Sequence, residues 1–127
     1  MADIAPTIIR SVDPDNGTTV KATWNALAGV GGSNNVGVPV KFIGYADRCV
    51  EVRGTFDGAT VVLEGSNGGT AYYTLTNPAG SALSFTAAGL KQVVERPQFV
   101  RPNVSNNGNN AAIVVDLVMC RANPYTR

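Results

Sequence analysis

Hydrophobic and polar residues alternate along most of this chain with a period of two, the pattern of half-buried β-strands. It is clearest from Cys49 to Leu75, where Val50 and Val52 alternate with Glu51 and Arg53, and Val61 and Leu63 with Thr60, Val62 and Glu64. Phe56-Asp57-Gly58 and Ser66-Asn67-Gly68-Gly69 divide the stretch into three runs. Asp-Gly and Asn-Gly steps tolerate the positive φ of tight hairpin turns. The stretch is therefore expected to be a three-stranded meander around which the fold is organised.

Further runs predict strands over Thr7 to Val12, Thr18 to Leu27, Leu83 to Thr86, Leu90 to Glu95, Phe99 to Ser105 and Ala111 to Arg121, with a helical turn as the alternative for Leu90 to Glu95. Asp13-Pro14-Asp15-Asn16-Gly17 is a dense turn signal between the first two. In the second, Val20, Ala22 and Trp24 share a face, and Trp24, the single tryptophan, is expected to anchor the core. Pro97 and Pro102 place Phe99 to Ser105 at a sheet edge or make it irregular. The last run is apolar on both faces and is expected to be central. Ala28 to Val38, rich in glycine and asparagine, reads as a long loop.

The expected fold is all-β: a β-sandwich of about eight strands, with a jelly roll preferred. An immunoglobulin-type sandwich would place its tryptophan between two cysteines, and Trp24 precedes both Cys49 and Cys120. Residues 7–121 form the sandwich domain in this reading, with an N-terminal arm over 1–6 and a C-terminal tail over 122–127.

A chain of 127 residues with 44% hydrophobic content is long enough for one domain with a sizeable core. Charged residues make up 15% and the net charge is +1, against about 25% charged in ordinary domains. So weak a field argues against nucleic acid and anionic membranes as partners, and it leaves a neutral exterior suited to protein contacts. No run approaches the length of a membrane-spanning helix, and Met-Ala-Asp-Ile lacks the start of an export signal, so synthesis in the cytoplasm is expected. Cys49 and Cys120 lie in separate strands without metal-ligand spacing and are expected to be free thiols, a disulfide requiring that their strands be neighbours.

Histidine is absent, which removes the commonest general base and metal ligand. Lys21, Lys41 and Lys91 have no serine at an activating spacing. Glu51, Glu64 and Glu95 read as solvent-facing partners of Arg53, Arg96 and Lys91. Gly29-Val30-Gly31-Gly32 is followed by Pro39-Val40-Lys41, which does not start the helix that a phosphate-binding loop requires. Asp13, Asp15, Asn16 and Asp57 could offer oxygens to calcium, but a full ligand pattern is missing. No catalytic, cofactor-binding or metal-binding residues are assigned, and no enzyme activity is expected. Asp116 interrupts an apolar run, so an arginine partner is expected from Arg48, Arg53 or Arg101, or else an edge position against a neighbouring subunit.

Gly44-Tyr45-Ala46-Asp47-Arg48, Val50 to Phe56, Val62 to Gly68, Tyr73 to Thr76, Leu83 to Thr86 and Arg96 to Pro102 together resemble the cement, or decoration, proteins of tailed, short-tailed bacteriophages. The resemblance covers about Gly44 to Arg121. It implies a structural virion protein, a jelly roll on the outer surface of the capsid, made in the host cytoplasm. The implied partners are the major capsid protein, whose capsomers it would tie together, and a second copy in a homodimer. Arm, loop and tail are then the expected contact segments, with Ile4, Pro6, Val30, Asn34, Asn35, Lys41, Tyr125 and Arg127 as candidate partner-binding residues. The Val-x-Leu-x-Gly-Ser-x-x-Gly run with the later Phe-Val-Arg is also similar to discoidin-like, galactose-binding jelly rolls, which implies carbohydrate binding as the alternative. Tyr72 and Tyr45 would be the aromatic contacts in that case.

Overall fold

A computed structural model of the chain describes residues 3–13, 17–28 and 35–121. Within them are nine strands: β1 (Thr7–Asp13), β2 (Gly17–Leu27), β3 (Asp47–Thr55), β4 (Thr60–Ser66), β5 (Tyr73–Thr74), β6 (Ser84–Phe85), β7 (Gly89–Val93), β8 (Phe99–Ser105) and β9 (Ala112–Arg121). They form two antiparallel sheets, and the fold is an all-β sandwich. The first sheet has five strands in the order β1-β2-β9-β3-β7. In the second, β8 lies along one side of β4, while β5 and β6 pair with its other side at opposite ends.

The expected meander is not what forms. β3 and β4 belong to different sheets, and the turn between them, closed by Ala59 N–H donating to Phe56 O at 2.8 Å, carries the chain across the sandwich. Asp57 and Gly58 supply the positive φ expected of them, at 45° and 81°. The reason is competition at the strand edges. Both sides of β3 are taken by β9 and β7, and both sides of β4 by β8 and the β5/β6 pair, so neither has a side left for the other.

The second sheet continues past β8 through an irregular segment over 35–40. Val40 and Val100 exchange backbone hydrogen bonds of 2.9 and 3.0 Å, Gly37 N–H donates to Pro102 O at 3.0 Å, and Val104 N–H donates to Asn35 O at 2.8 Å. The loop expected over 28–38 is thus paired at its end. Pro102 has no N–H to give, which agrees with the broken pairing on that side of β8. Counting this segment as a strand, the pairing is nested: β2 with β9, 35–40 with β8, β3 with β7, and β4 with β5 and β6.

Where β5 gives way to β6, three leucine backbones close a ring. Leu75 N–H donates to Leu63 O, Leu83 N–H to Leu75 O and Leu63 N–H to Leu83 O, at 2.8 to 3.1 Å. All three side chains are buried. The chain between them leaves the sheet as a small hairpin turning at Asn77, whose Oδ1 accepts from Ala79 and Ser81 N–H. Glu95 holds this hairpin by accepting from both the N–H and the hydroxyl of Thr76.

The core lies between the sheets. From the first come Val20, Ala22, Trp24, Val50, Val52, Ile113, Val115, Leu117 and Met119; from the second, Val61, Leu63, Phe85, Val100 and Val104. β9 is central, as its sequence suggests, and its outward Asp116 has the expected partner in Arg53, with Thr23 Oγ1 donating to the other carboxylate oxygen. Burial pushes the Asp116 carboxyl up, and the bonds from Thr23 and Arg53 more than offset it, leaving it below the ordinary carboxylate range.

Candidate partner interface

The N-terminal residues do not leave the body at once. Ile4 N–H donates to Val36 O at 3.0 Å, Val38 N–H donates to Ile4 O at 2.7 Å, and the Ile4 side chain is half-buried against the core. Residues 3–6 therefore line the outer edge of the second sheet before the chain crosses to the first as β1. Of the candidate contact residues, Ile4, Asn35 and Lys41 come together along this one edge, with Pro6 beside them where the chain departs. Val30, Asn34, Tyr125 and Arg127 lie outside the described residues.

Their roles differ. Asn35 is a tie: its Nδ2 donates to Val104 O at 2.7 Å and to Asn107 Oδ1 at 2.8 Å, fixing the segment to the β8–β9 connection. Lys41 is exposed, with its ammonium 5.2 Å from the centre of the Phe99 ring. A cation held over a ring face keeps its charge available to a partner. Lys41 is thus the presented group of this edge, and Ile4 and Asn35 are its frame.

The outer face of the second sheet carries a paired group. Glu64, expected to face solvent, is 8% exposed. It accepts from Arg101 Nε at 2.7 Å and Asn103 Nδ2 at 3.3 Å, and the Arg101 guanidinium lies 3.6 Å from the centre of the Tyr72 ring. Glu64 and Arg101 are opposite residues of β4 and β8, so the pair follows from register. Tyr72 is covered by this stack. Tyr45 is buried, its ring edge-on to Phe42, and neither tyrosine offers an open ring. Tyr73 does: it is 73% exposed beside a shallow depression of about 420 Å³ lined by Ser66, Asn67, Thr70 and Pro97.

Basic groups gather where the sequence scatters them. Arg10 lies over Phe42 and donates to Tyr45 Oη at 3.3 Å, while Arg121 lies over Tyr45 from elsewhere. Beneath them Arg48 is buried, its Nε and Nη2 donating to Tyr45 O and Phe42 O at 3.0 and 2.9 Å. Burial and then the charge of Arg96 lower its pKa from the ordinary arginine value. This cluster holds the end of the sandwich closed through carbonyls and ring faces.

Cys49 and Cys120 lie on the outer face of the first sheet, in neighbouring strands, with Cys49 opposite Val118 and Cys120 opposite Asp47. Both are free and half-buried. Burial pushes the Cys49 thiol up, and the charges of Glu51 and Cys120 add to this. Among the described residues no group of three or more histidine, cysteine or acidic side chains could hold a metal, and no helix is long and apolar enough to cross a membrane.

The sequence reading missed the exposed apolar residues of β1, namely Ile8, Ile9 and Val12. The signal was available, since adjacent isoleucines in a short strand cannot both face the core. Compared with protein-family models, curated proteins and solved structures, the chain matches none.

Proposed function

We propose that this chain is a structural virion protein: a capsid decoration protein of jelly-roll type that binds the outside of a tailed-phage shell and ties neighbouring capsomers of the major capsid protein together, acting as a pair of copies. The nested pairing supports the jelly-roll reading, because winding one long hairpin over itself pairs the first strand with the last and each following strand with its counterpart from the other end. The observation that carries the functional reading is the gathering of Ile4, Asn35 and Lys41 on one sheet edge, to which the N-terminal segment is already bonded. A segment held there reaches a neighbouring surface from a rigid base, and many weak copies acting together stabilise a shell strongly.

The test is to co-express the chain with the capsid protein encoded beside its gene, purify shells and count bound copies. Saturable binding to the shell exterior, weakened by Lys41→Glu, is expected. Failure to sediment with shells at any ratio overturns the reading.

Exposed Tyr73 beside its depression favours one second reading, a carbohydrate-binding module. Sugars pack their apolar faces on open rings flanked by amides and hydroxyls. Binding on a glycan array that is lost with Tyr73→Ala would establish this reading in place of the first.

A further inference from the structure

An antiparallel sandwich leaves four sheet edges, each a row of unpaired N–H and C=O groups that natural proteins cover or interrupt. Three of the four are treated in this way. The 35–40 segment, at one edge of the second sheet, is covered by the backbone of Ile4. The opposite edge is made of β5 and β6, two residues each, broken by the hairpin between them. β7, at one edge of the first sheet, is five residues long, and Val94 just beyond it already donates to Thr76 O at 3.0 Å.

β1 is the exception. All seven of its residues pair with β2, and its other side has no partner among the described residues. It contains no proline and no bulge. Its side chains are apolar on both faces and open to solvent, with Ile8 40%, Ile9 50% and Val12 78% exposed. Its one cation, Arg10, is drawn toward its own Tyr45 hydroxyl and Phe42 ring.

We infer that the free side of β1 is the pairing surface for a second copy of this chain, joined antiparallel across a twofold axis so that the two five-stranded sheets become continuous. The inference rests on the pairing of copies proposed above and names where it occurs. A twofold axis normal to the sheet keeps each residue on its own face, so one residue must lie opposite itself. Arg10 on the axis would set like charges directly opposite, which is destabilising. Ile8 on the axis would bring Pro6 of the partner copy against Arg10, shortening the ladder. Ile9 on the axis sets Ile9 against its twin, Ile8 against the arginine stem at position 10, and Thr7 against the serine at position 11. A net charge of +1 per chain opposes this approach only weakly.

Sedimentation over a concentration series reads the association, and far-UV circular dichroism confirms folding. Ile9→Lys, placing two ammonium groups on the axis, should weaken the dimer by about tenfold or more. Leu90→Lys, an equally exposed change on β7, should leave it unchanged. In a Cys49→Ala, Cys120→Ala background, Ile9→Cys is a milder variant. Treated with diamide, which takes up the two thiol hydrogens, it should link copies through an S–S bond, whereas Leu90→Cys should not. A dimer indifferent to Ile9→Lys and unlinked through Ile9→Cys overturns this inference while leaving the decoration reading to its shell assay. A chain monomeric at every concentration overturns the inference and the pairing of copies together, and shell binding still reports separately on decoration.

Discussion

Trp24 reaches across the sandwich to Gly37. Its Nε1 donates to Val38 O at 3.0 Å, and a Cβ built on Gly37 would lie 2.5 Å from Trp24 Cδ1 and Nε1 and 2.7 Å from Pro102 Cδ. The indole thus joins the first sheet to the irregular edge of the second, and only a residue without a side chain leaves room for it. Gly37→Ala should destabilise by about 1–3 kcal/mol, the range for overpacking a filled core. Trp24→Phe keeps most of the packing but strips Val38 O of its donor, and should cost a similar about 1–3 kcal/mol. Denaturant unfolding of the two variants measures both, and wild-type stability in Gly37→Ala would show that the ring does not rest there.

Acid should weaken the fold through Asp116 and Glu95. For each, burial raises the carboxyl pKa, but hydrogen bonds lower it more: from Thr23 and Arg53 to Asp116, and from Thr76 to Glu95. Both folded values therefore lie below the unfolded ones, which are about 3.9 for Asp and 4.3 for Glu. A group depressed in this way stabilises fully above its unfolded pKa, and the contribution is lost as pH falls through the folded value. Asp116→Asn should be less stable than wild type at neutral pH, with the difference shrinking below about pH 4. Melting temperatures of both proteins across that range give the comparison, and a gap that is constant with pH would refute the assignment.

Arg101 neutralises a buried carboxylate and covers a ring. Arg101→Met leaves Glu64 with Asn103 alone and should cost about 3 kcal/mol or more, since breaking a buried pair strands a charge. Adding Glu64→Leu removes the stranded charge, so the double variant should be more stable than Arg101→Met by itself. Urea midpoints of wild type, the two single variants and the double variant close the cycle. Additive losses would mean that the two groups do not act as a pair.

Ala26 lies at the irregularity between Trp24 and Leu27 in β2, exposed, with φ of 56°. The left-handed region costs an L-residue about 1–2 kcal/mol, and glycine returns part of that gain through its larger unfolded-state entropy. Ala26→Gly should therefore stabilise by up to about 1 kcal/mol. A rise of a few degrees in melting temperature is the expected reading, and a fall would show that the methyl group contributes more than the backbone conformation costs.

Much of the fold is local in origin. Alternation alone marked most of the strands, placed Trp24 and the inward valines in the core, made the last strand central, and called for an arginine at Asp116, which Arg53 supplies. These are statements about which way a side chain faces, and a period of two encodes them directly. Which strand lies beside which is decided elsewhere, because an edge accepts whichever distant segment also buries its apolar face. Tertiary structure therefore separated β3 from β4 across the sandwich, although their sequences read as one meander. It buried Glu64 by setting Arg101 opposite, covered Tyr72 and Tyr45 with arginines, bonded Ile4 to the segment over 36–38, and left β1 with a free side. The residues that present themselves to a partner were all in the sequence, and long-range pairing decided which of them remained uncovered.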